Sequence, residues 1–178
     1  MAKAKRKKKF FDVEIPIIEK VTQSQAYALE DLEGRFIKYD LTRFLRGKSM
    51  LLTTKIKLEG DKAVAYPQKV MLMPYFLKRM VRKGTNYVED SFFAPCKNVQ
   101  VQIKPFLVTR RRVSRAVKKA LRDKAKEELT NYVKDKESDE VFNDIIKNRI
   151  QKILSLKLKK IYPLALCEIR IFQVKNKE

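Results

Sequence analysis

The chain has 178 residues, and its 44% hydrophobic and 35% charged residues exclude global disorder and favour one folded domain with a very polar surface. Its 42 Lys and Arg residues outnumber its 21 Asp and Glu residues, so the formal charge is +21 and polyanions are the expected partners, either nucleic acid or an anionic membrane. With no histidine and only Cys96 and Cys167, a four-ligand Cys/His zinc site is excluded and a disulfide framework is unsupported. Reduced thiols fit a cytoplasmic protein.

The two ends of the chain predict tails around one domain. Six of the first nine residues are cations, so we expect residues 1–9 to form a basic flexible tail, residues 10–174 a single α+β domain and residues 175–178 a short tail. The acids and Pro16 of FDVEIPIIEK interrupt any signal-type apolar block. The longest apolar run, residues 70–77, is far shorter than the roughly 20 residues that span a bilayer, so a soluble protein without a membrane partner is expected.

Strand signals dominate the first part of the chain. Period-two alternation or β-rich composition predicts strands in four segments: residues 10–18, 35–41, 51–58 and 63–72. Gly60 and Asp61 separate the last two and predict a β-hairpin.

A short helix and a further strand follow. Pro74 suits the first position of a helix over residues 75–83, with Gly84 as a left-handed C-terminal cap. The segment NVQVQIK, residues 98–104, alternates cleanly and is the clearest strand signal in the chain.

Two long helices and a final strand are predicted in the C-terminal part. The first helix begins in TRRRVSRAVKKALRDKAK and runs from Thr109 to about Val133, and the second runs from Asp139 to Lys160 with Ser138 as its cap. LCEIRIF, residues 166–172, is a strand with Cys167, Ile169 and Ile171 on one face. The fold class is therefore α+β: a mainly antiparallel sheet or a partly closed β-barrel, with two long C-terminal helices and one short helix.

The first long helix concentrates positive charge on one side. At 100° per residue, seven cations fall within an arc of roughly 120°: Arg111, Arg112, Arg115, Lys118, Lys119, Arg122 and Lys126. The opposite side is apolar and is predicted to dock on the sheet: Val113, Ala116, Val117, Ala120 and Leu121.

An ordinary solvated helix face is the alternative interpretation, but such a face usually mixes charge signs, and this one has no acid before Asp123. Cations at a helix start also oppose the macrodipole by roughly 0.3–1 kcal/mol each. We therefore interpret the face as a phosphate-binding surface. The small residues Ala116 and Ala120 favour RNA over a membrane as its partner.

Catalytic chemistry has little support. The four glycines are scattered, so there is no nucleotide fingerprint, and we predict no enzyme, no cofactor and no small-molecule substrate. A magnesium-dependent nuclease is a remote alternative that would use one of two acidic groups: Glu30, Asp31 and Glu33, or Asp139, Glu140 and Asp144. Exposed aromatics could stack on bases, although core packing is favoured for most of them: Phe10, Phe11, Tyr75, Phe76, Phe92 and Phe93.

Several stretches in this order resemble one protein family. They are KKFFDVEIP (8–16), LEGRFIKYDL (32–41), LKRMVRKGTNYVED (77–90), VQVQIKPFLVTRRRVSRAVKKALRDKAKEEL (99–129) and KKIYPLALCEIRI (159–171). The chain resembles, over roughly residues 8–174, the small-subunit ribosomal proteins of archaea and eukaryotes called the eukaryotic-type S one, or S three A, family.

The resemblance implies a structural constituent of the small ribosomal subunit in the cytoplasm, on the platform near the messenger exit. Its implied partners are ribosomal RNA, neighbouring small-subunit ribosomal proteins and messenger RNA near the exit. The RNA-binding residues then expected are Lys5, Arg6, Lys7, Lys8, Lys9, Arg79, Arg82, Lys83, Arg110, Arg111, Arg112, Arg115, Lys118, Lys119 and Arg122. The competing interpretation is a free-standing basic nucleic-acid-binding protein, an RNA chaperone or a chromatin-type protein.

Overall fold

The structure, a computed structural model, describes residues 7–175. These residues contain the strands β1 (Lys9–Ile15), β2 (Lys20–Ala26), β3 (Phe36–Asp40), β4 (Met50–Glu59), β5 (Lys62–Leu72), β6 (Tyr87–Glu89), β7 (Phe92–Pro95), β8 (Gln100–Thr109) and β9 (Leu164–Lys175). The helices are α1 (Pro74–Met80), α2 (Arg115–Lys134), α3 (Ser138–Ile146) and α4 (Arg149–Leu158). The α+β class is confirmed.

The strands form one open sheet. Its main order is β2-β1-β5-β9-β8-β6, while β4 pairs with β3 and β5, and β7 pairs with β8. The pairing of β1 with β5 is parallel, and the other registered pairs are antiparallel. The mainly antiparallel sheet predicted from the sequence is thus confirmed, and it does not close into a barrel. The β4–β5 hairpin turns at Gly60 and Asp61, as expected.

The chain groups into two compact units. The first contains residues 7–39 and 52–68, and the second contains residues 40–51 and 69–175. Within the second unit, Phe142 of α3 packs edge-to-face on Phe172 of β9 with ring centroids 4.8 Å apart, and both side chains are fully buried. The single domain expected for residues 10–174 stays a prediction.

The predicted second long helix is wrong, because the structure breaks it into α3 and α4. Asn148 adopts a left-handed conformation (φ 57°), and its side-chain oxygen accepts a hydrogen bond from Lys48 Nζ at 2.6 Å. Asparagine tolerates this conformation better than most residues, so the helix ends there. Ser138 is the first residue of α3 rather than its cap, and Glu137 occupies the cap position without a side-chain bond.

The alternation predicted for the last strand holds only in part. In the β8–β9 register, Lys104 lies opposite Ile171 and Pro105 lies opposite Ile169, so Arg170 is the extra residue of a β-bulge. Beyond the bulge the buried face changes, and Phe172 is buried instead of Ile171.

The ends of the described chain are strands. β1 begins at Lys9, inside the predicted basic tail, and β9 continues to Lys175. The remaining tail residues 1–6 and 176–178 lie outside the described residues.

Candidate nucleic-acid interface

A five-residue loop, residues 110–114, separates β8 from α2 and carries Arg110, Arg111 and Arg112, all exposed. We call it the arginine loop. The sequence placed these residues on the long helix, and that placement is wrong, because β8 continues to Thr109 and the helix starts only at Arg115.

One residue, Asn86, holds both ends of the arginine loop. On one side, the backbone N–H of Thr109 donates to the Asn86 carbonyl at 2.9 Å, and the Asn86 N–H donates to Thr109 Oγ1 at 3.0 Å. On the other side, the N–H of Val113 donates to Asn86 Oδ1 at 2.9 Å. The Thr109 hydroxyl also lies 2.7 Å from the Arg111 carbonyl and donates to it. The loop backbone is therefore fixed, while its three arginine side chains extend into solvent.

Sheet pairing explains why Asn86 reaches the loop. β6 pairs antiparallel with β8, with Tyr87 opposite Val108, so the residue before Tyr87 comes opposite Thr109. The asparagine side chain is short and offers an acceptor for a backbone N–H, a common arrangement at turns. The β6–β8 register therefore positions the arginine loop.

The same connection brings a second basic group next to the loop. Arg79 lies on α1, and Arg82 and Lys83 follow it; all three are exposed, and we call them the α1 patch. The Thr85 hydroxyl donates to the Arg82 carbonyl at 2.7 Å and fixes the turn after the helix. Two residues lie between Lys83 and Asn86, so their Cα atoms are at most about 11 Å apart. The Lys83 end of the α1 patch thus lies close to Asn86, which holds the arginine loop, although the sequence analysis treated the two groups separately.

Helix α2 continues the basic surface. Its cap is Ser114, whose hydroxyl accepts from the Val117 N–H at 3.4 Å. Arg115, Lys119 and Arg122 are exposed and lie within about 60° of one another around the helix axis at 100° per residue. Lys118 is half-buried. Within the helix, the predicted basic side is therefore narrower than the sequence suggested.

The apolar face predicted for α2 was partly wrong. Ala116 and Ala120 are exposed, whereas four residues spaced by four are buried against the rest of the second unit: Leu121, Ala125, Leu129 and Val133. The helix therefore packs through its later turns, and its first turn is largely surrounded by solvent. The cations of this first turn are therefore accessible to a ligand from several directions.

The two halves of α2 differ in charge pairing. Residues 115–122 contain four cations and no acid, while residues 123–134 contain three cations and three acids. In the later half, Lys124 Nζ lies 2.9 Å from Glu127 and 3.3 Å from Glu128, and Lys157 of α4 also binds Glu128. The hydrogen bond with Lys157, followed by that with Lys124, holds the pKa of Glu128 below its ordinary value although burial opposes this. Two of the three acids of α2, Glu127 and Glu128, are thus paired with lysines of the protein itself.

The predicted phosphate-binding cations have no such partners. Among residues 7–175, no ion pair involves any of the following: Arg79, Arg82, Lys83, Arg110, Arg111, Arg112, Arg115, Lys118, Lys119 and Arg122. Arg79 lies over the ring of Phe76, with 5.6 Å from its guanidinium carbon to the ring centroid, and this contact leaves its charge uncompensated. These ten residues, which we call the basic surface, can accept several phosphates without first breaking an internal ion pair.

The predicted tail residues are placed only in part. Lys5 and Arg6 lie outside the described residues, Lys7 and Lys8 precede β1, and Lys9 is its first residue. Lys8 Nζ is 5.7 Å from the centroid of the Tyr27 ring. These contacts belong to the first compact unit, whereas the basic surface belongs to the second.

Sequence reasoning missed residues that build this region. Asn86 and Thr109 position the arginine loop, and Tyr87 exposes 55% of its surface beside it. The alternation Tyr87, Val88, Glu89, with Val88 buried, could have indicated an outward-facing tyrosine. Of the aromatics considered from the sequence, Phe76 and Phe92 are buried as expected, whereas Tyr75 and Phe93 are about half exposed, which contradicts their predicted core packing. Phe10 is largely exposed.

The acidic groups considered for a nuclease form no metal site in the structure. Within residues 7–175, no group of three or more Cys, Asp or Glu residues could hold a metal ion. Asp144 instead pairs with Lys136, at 2.5 Å, and accepts a hydrogen bond from Tyr132 at 2.8 Å. No helix among the described residues is long and apolar enough to cross a membrane.

Two comparisons with known proteins give the same result. A model of the Ribosomal S3Ae family matches residues 2–178. The Small ribosomal subunit protein eS1 of Nanoarchaeum equitans (strain Kin4-M) is 25% identical over 183 residues, which cover 97% of this chain and 91% of that protein.

Proposed function

Because the chain belongs to the Ribosomal S3Ae family, we propose that it is a structural protein of the small ribosomal subunit that binds ribosomal RNA through its basic surface. The family membership confirms the resemblance found in the sequence. The family is one of ribosomal proteins and not of enzymes, and the relative in Nanoarchaeum equitans is named as a small-subunit protein. The proposed mechanism is neutralisation of phosphates and fit to RNA shape, with no catalytic step.

The observation that supports the proposed RNA binding is the contrast between cations that pair with acids of the protein and cations that do not. Lys124 and Lys157 compensate Glu127 and Glu128 of α2, whereas the arginine loop and the first half of α2 contain no acid. Such a cluster repels itself in the free protein, and phosphates relieve the repulsion while releasing counterions from the RNA. Asn86 fixes the backbone beneath the cluster, so little loop entropy is lost on binding.

We further propose where the protein lies within the ribosome. The proposed position, which the resemblance in the sequence implied, is the platform of the small subunit near the messenger exit, in the cytoplasm, beside other small-subunit proteins and within reach of messenger RNA. Lys5, Arg6 and Lys7–Lys9 would also contact RNA. Each of these statements can be tested by crosslinking within purified small subunits.

Sedimentation tests the proposed function directly. A tagged copy expressed in cells should migrate with small subunits in a gradient, in an amount equal to other small-subunit proteins, and leave them only at high salt. A protein that stays at the top of the gradient, bound to many RNAs or to DNA, would instead be a free-standing nucleic-acid binder. A chain lacking the ten charges of the basic surface should fold but fail to enter the subunit.

A further inference from the structure

A cavity beside the α1 patch has the shape and chemistry of a base-binding pocket. Its volume is about 430 Å³, which lies within the usual range of small-ligand sites, and it opens to solvent. Leu77 of α1 and Phe106 of β8, both buried, form its apolar part, and Tyr87 of β6 lines it as well. All of its lining residues belong to the second compact unit.

Tyr87 offers an aromatic surface that the protein supports but does not cover. Its ring stacks on Phe106 with centroids 5.8 Å apart and an angle of 17° between the planes. The stack keeps the ring oriented, while 55% of the residue remains exposed. An oriented, exposed aromatic ring is what an unpaired RNA base stacks on.

The polar part of the pocket is a donor next to an acceptor. Arg170 Nη1 lies 3.0 Å from Glu89 Oε2, and both side chains are a little more than one-third exposed. The β-bulge at Arg170 is the irregularity that gives this residue its place in the wall of the pocket. Since a guanidinium has five N–H groups and a carboxylate has two oxygens, the pair retains donors and acceptors for a ligand.

The cations around the pocket favour a polyanion, such as an RNA strand, as the molecule that binds there. Lys78 lines the pocket, and the α1 patch of Arg79, Arg82 and Lys83 follows on the same segment. A nucleotide whose base enters the cavity would therefore have its phosphates near four cations. An apolar side chain from a protein would fill the cavity but would leave both the ion pair and these cations without a role.

We propose that this cavity binds an unpaired purine of an RNA strand, preferably guanine, by stacking on Tyr87 and by hydrogen bonds to Glu89 and Arg170. Guanine fits best because its N1–H and amino group are adjacent donors for the two carboxylate oxygens, and its O6 next to them accepts from the guanidinium. Uracil presents one N–H between two carbonyls and a smaller ring. The inference rests on the proposed RNA-binding function and adds base preference to a surface that otherwise recognises phosphates.

The test compares two RNAs of equal charge, UUUUU and UUGUU, by fluorescence anisotropy with the full chain at fixed salt. The wild type should bind UUGUU about 5-fold or more tightly than UUUUU, the lower end of the discrimination that a bidentate hydrogen-bonded base contact provides. Tyr87→Ala should remove this difference, Tyr87→Phe should keep it, and Glu89→Gln should reduce it. Tyr75→Ala is the matched control, because Tyr75 is equally exposed and does not line the cavity.

A second variant separates failure of the pocket from failure of RNA binding. Replacing Arg110, Arg111 and Arg112 by Gln should weaken both RNAs equally and keep the preference for guanine. Equal affinities of the wild type for the two RNAs, while the triple variant still binds more weakly, would overturn the pocket alone. If the triple variant binds as well as the wild type, the proposed RNA surface is wrong. If Tyr87→Ala affects neither RNA but releases a neighbouring ribosomal protein, the cavity holds a protein side chain and the proposal is overturned.

Discussion

The salt dependence of RNA binding should depend on the arginine loop and not on net charge alone. In the variant R110Q/R111Q/R112Q, three exposed side chains without ion pairs lose their charge, so the free energy of unfolding should change by less than about 0.5 kcal/mol. If each guanidinium neutralises one phosphate, the slope of log K against log salt should fall by about 0.9 per residue, or about 2.7 in total. Between about 50 and 200 mM salt, the wild type should lose about 40-fold more affinity than the variant does.

A variant with the same net charge provides the control. The variant K147Q/K152Q/K160Q removes three exposed cations: Lys147 follows α3, Lys152 lies on α4 and Lys160 follows α4. None of them forms an ion pair within the described chain. Binding to an A-form RNA duplex should be measured by anisotropy over a salt series, with thermal unfolding recorded for each variant. If both triple variants lower the slope equally, the effect is one of net charge, and the assignment of phosphate binding to the arginine loop is refuted.

Three further predictions concern the scaffold. Asn86→Ala removes the acceptor of the Val113 N–H, so it should lower the free energy of unfolding by about 1–3 kcal/mol, measured by thermal unfolding. It should also weaken RNA binding without changing the slope of log K against log salt. A smaller slope would contradict this prediction. Lys48→Met leaves the Glu168 carboxylate unpaired in a largely buried position, so it should lower the free energy of unfolding by about 3–5 kcal/mol, measured with denaturant. Lys62→Met breaks an exposed ion pair with Glu14 at 3.9 Å and should lower it by at most about 1 kcal/mol. Equal losses in the two variants would contradict the argument from burial. Burial alone would raise the pKa of Asp144, but hydrogen bonds from Lys136 and Tyr132 hold this pKa below its ordinary value. The carboxylate therefore stabilises the fold above about pH 4, and this stabilisation is lost as the pH falls further. In Asp144→Asn, the free energy of unfolding should therefore decrease less steeply with falling pH in the acid range.

The positions of most strands were readable from the sequence because their faces differ in burial. In β8, the alternation of Val101 and Ile103 with polar neighbours gave the strand clearly, since both are buried. The same strand was cut short in the prediction because Pro105–Thr109 is buried on consecutive residues. A continuous apolar run has no period of two, so it carries no signal that separates the end of a strand from the start of a helix.

The sequence contained a signal for the break between α3 and α4, but the helical spacing of the apolar residues concealed it. Asn148 favours a left-handed conformation, but the apolar residues on either side of it continue a helical spacing. The hydrogen bond from Lys48, 100 residues earlier, helps to hold this conformation. A contact of that sequence separation cannot be read from local pattern.

RNA binding by the candidate cations stays a prediction, but the structure corrects the geometry that the sequence predicted for them. The cations of the arginine loop and of α2 do share a surface, but a helical projection assigned Arg111 and Arg112 to a helix that begins after them. Ser114, a favoured cap residue, was the available signal for the later start. The proximity of the α1 patch was not predictable from the sequence, because it depends on the β6–β8 register and on the bonds of Asn86.

The corrected position of the arginines changes the physical reason for expecting phosphate there. On a helix, Arg111 and Arg112 would oppose the macrodipole, and the sequence argument used that cost as evidence for a ligand. In the structure, only Arg115 and Lys118 lie in the first turn, so the dipole cost applies to these two cations alone. Phosphate is instead expected because of charge pairing: the later half of α2 contains three cations with three acids, and the first half contains four cations with none. A helix that needed solubility alone could mix the two signs along its whole length, so the separation of charges is the observation that supports the proposed binding of an external anion by the first half.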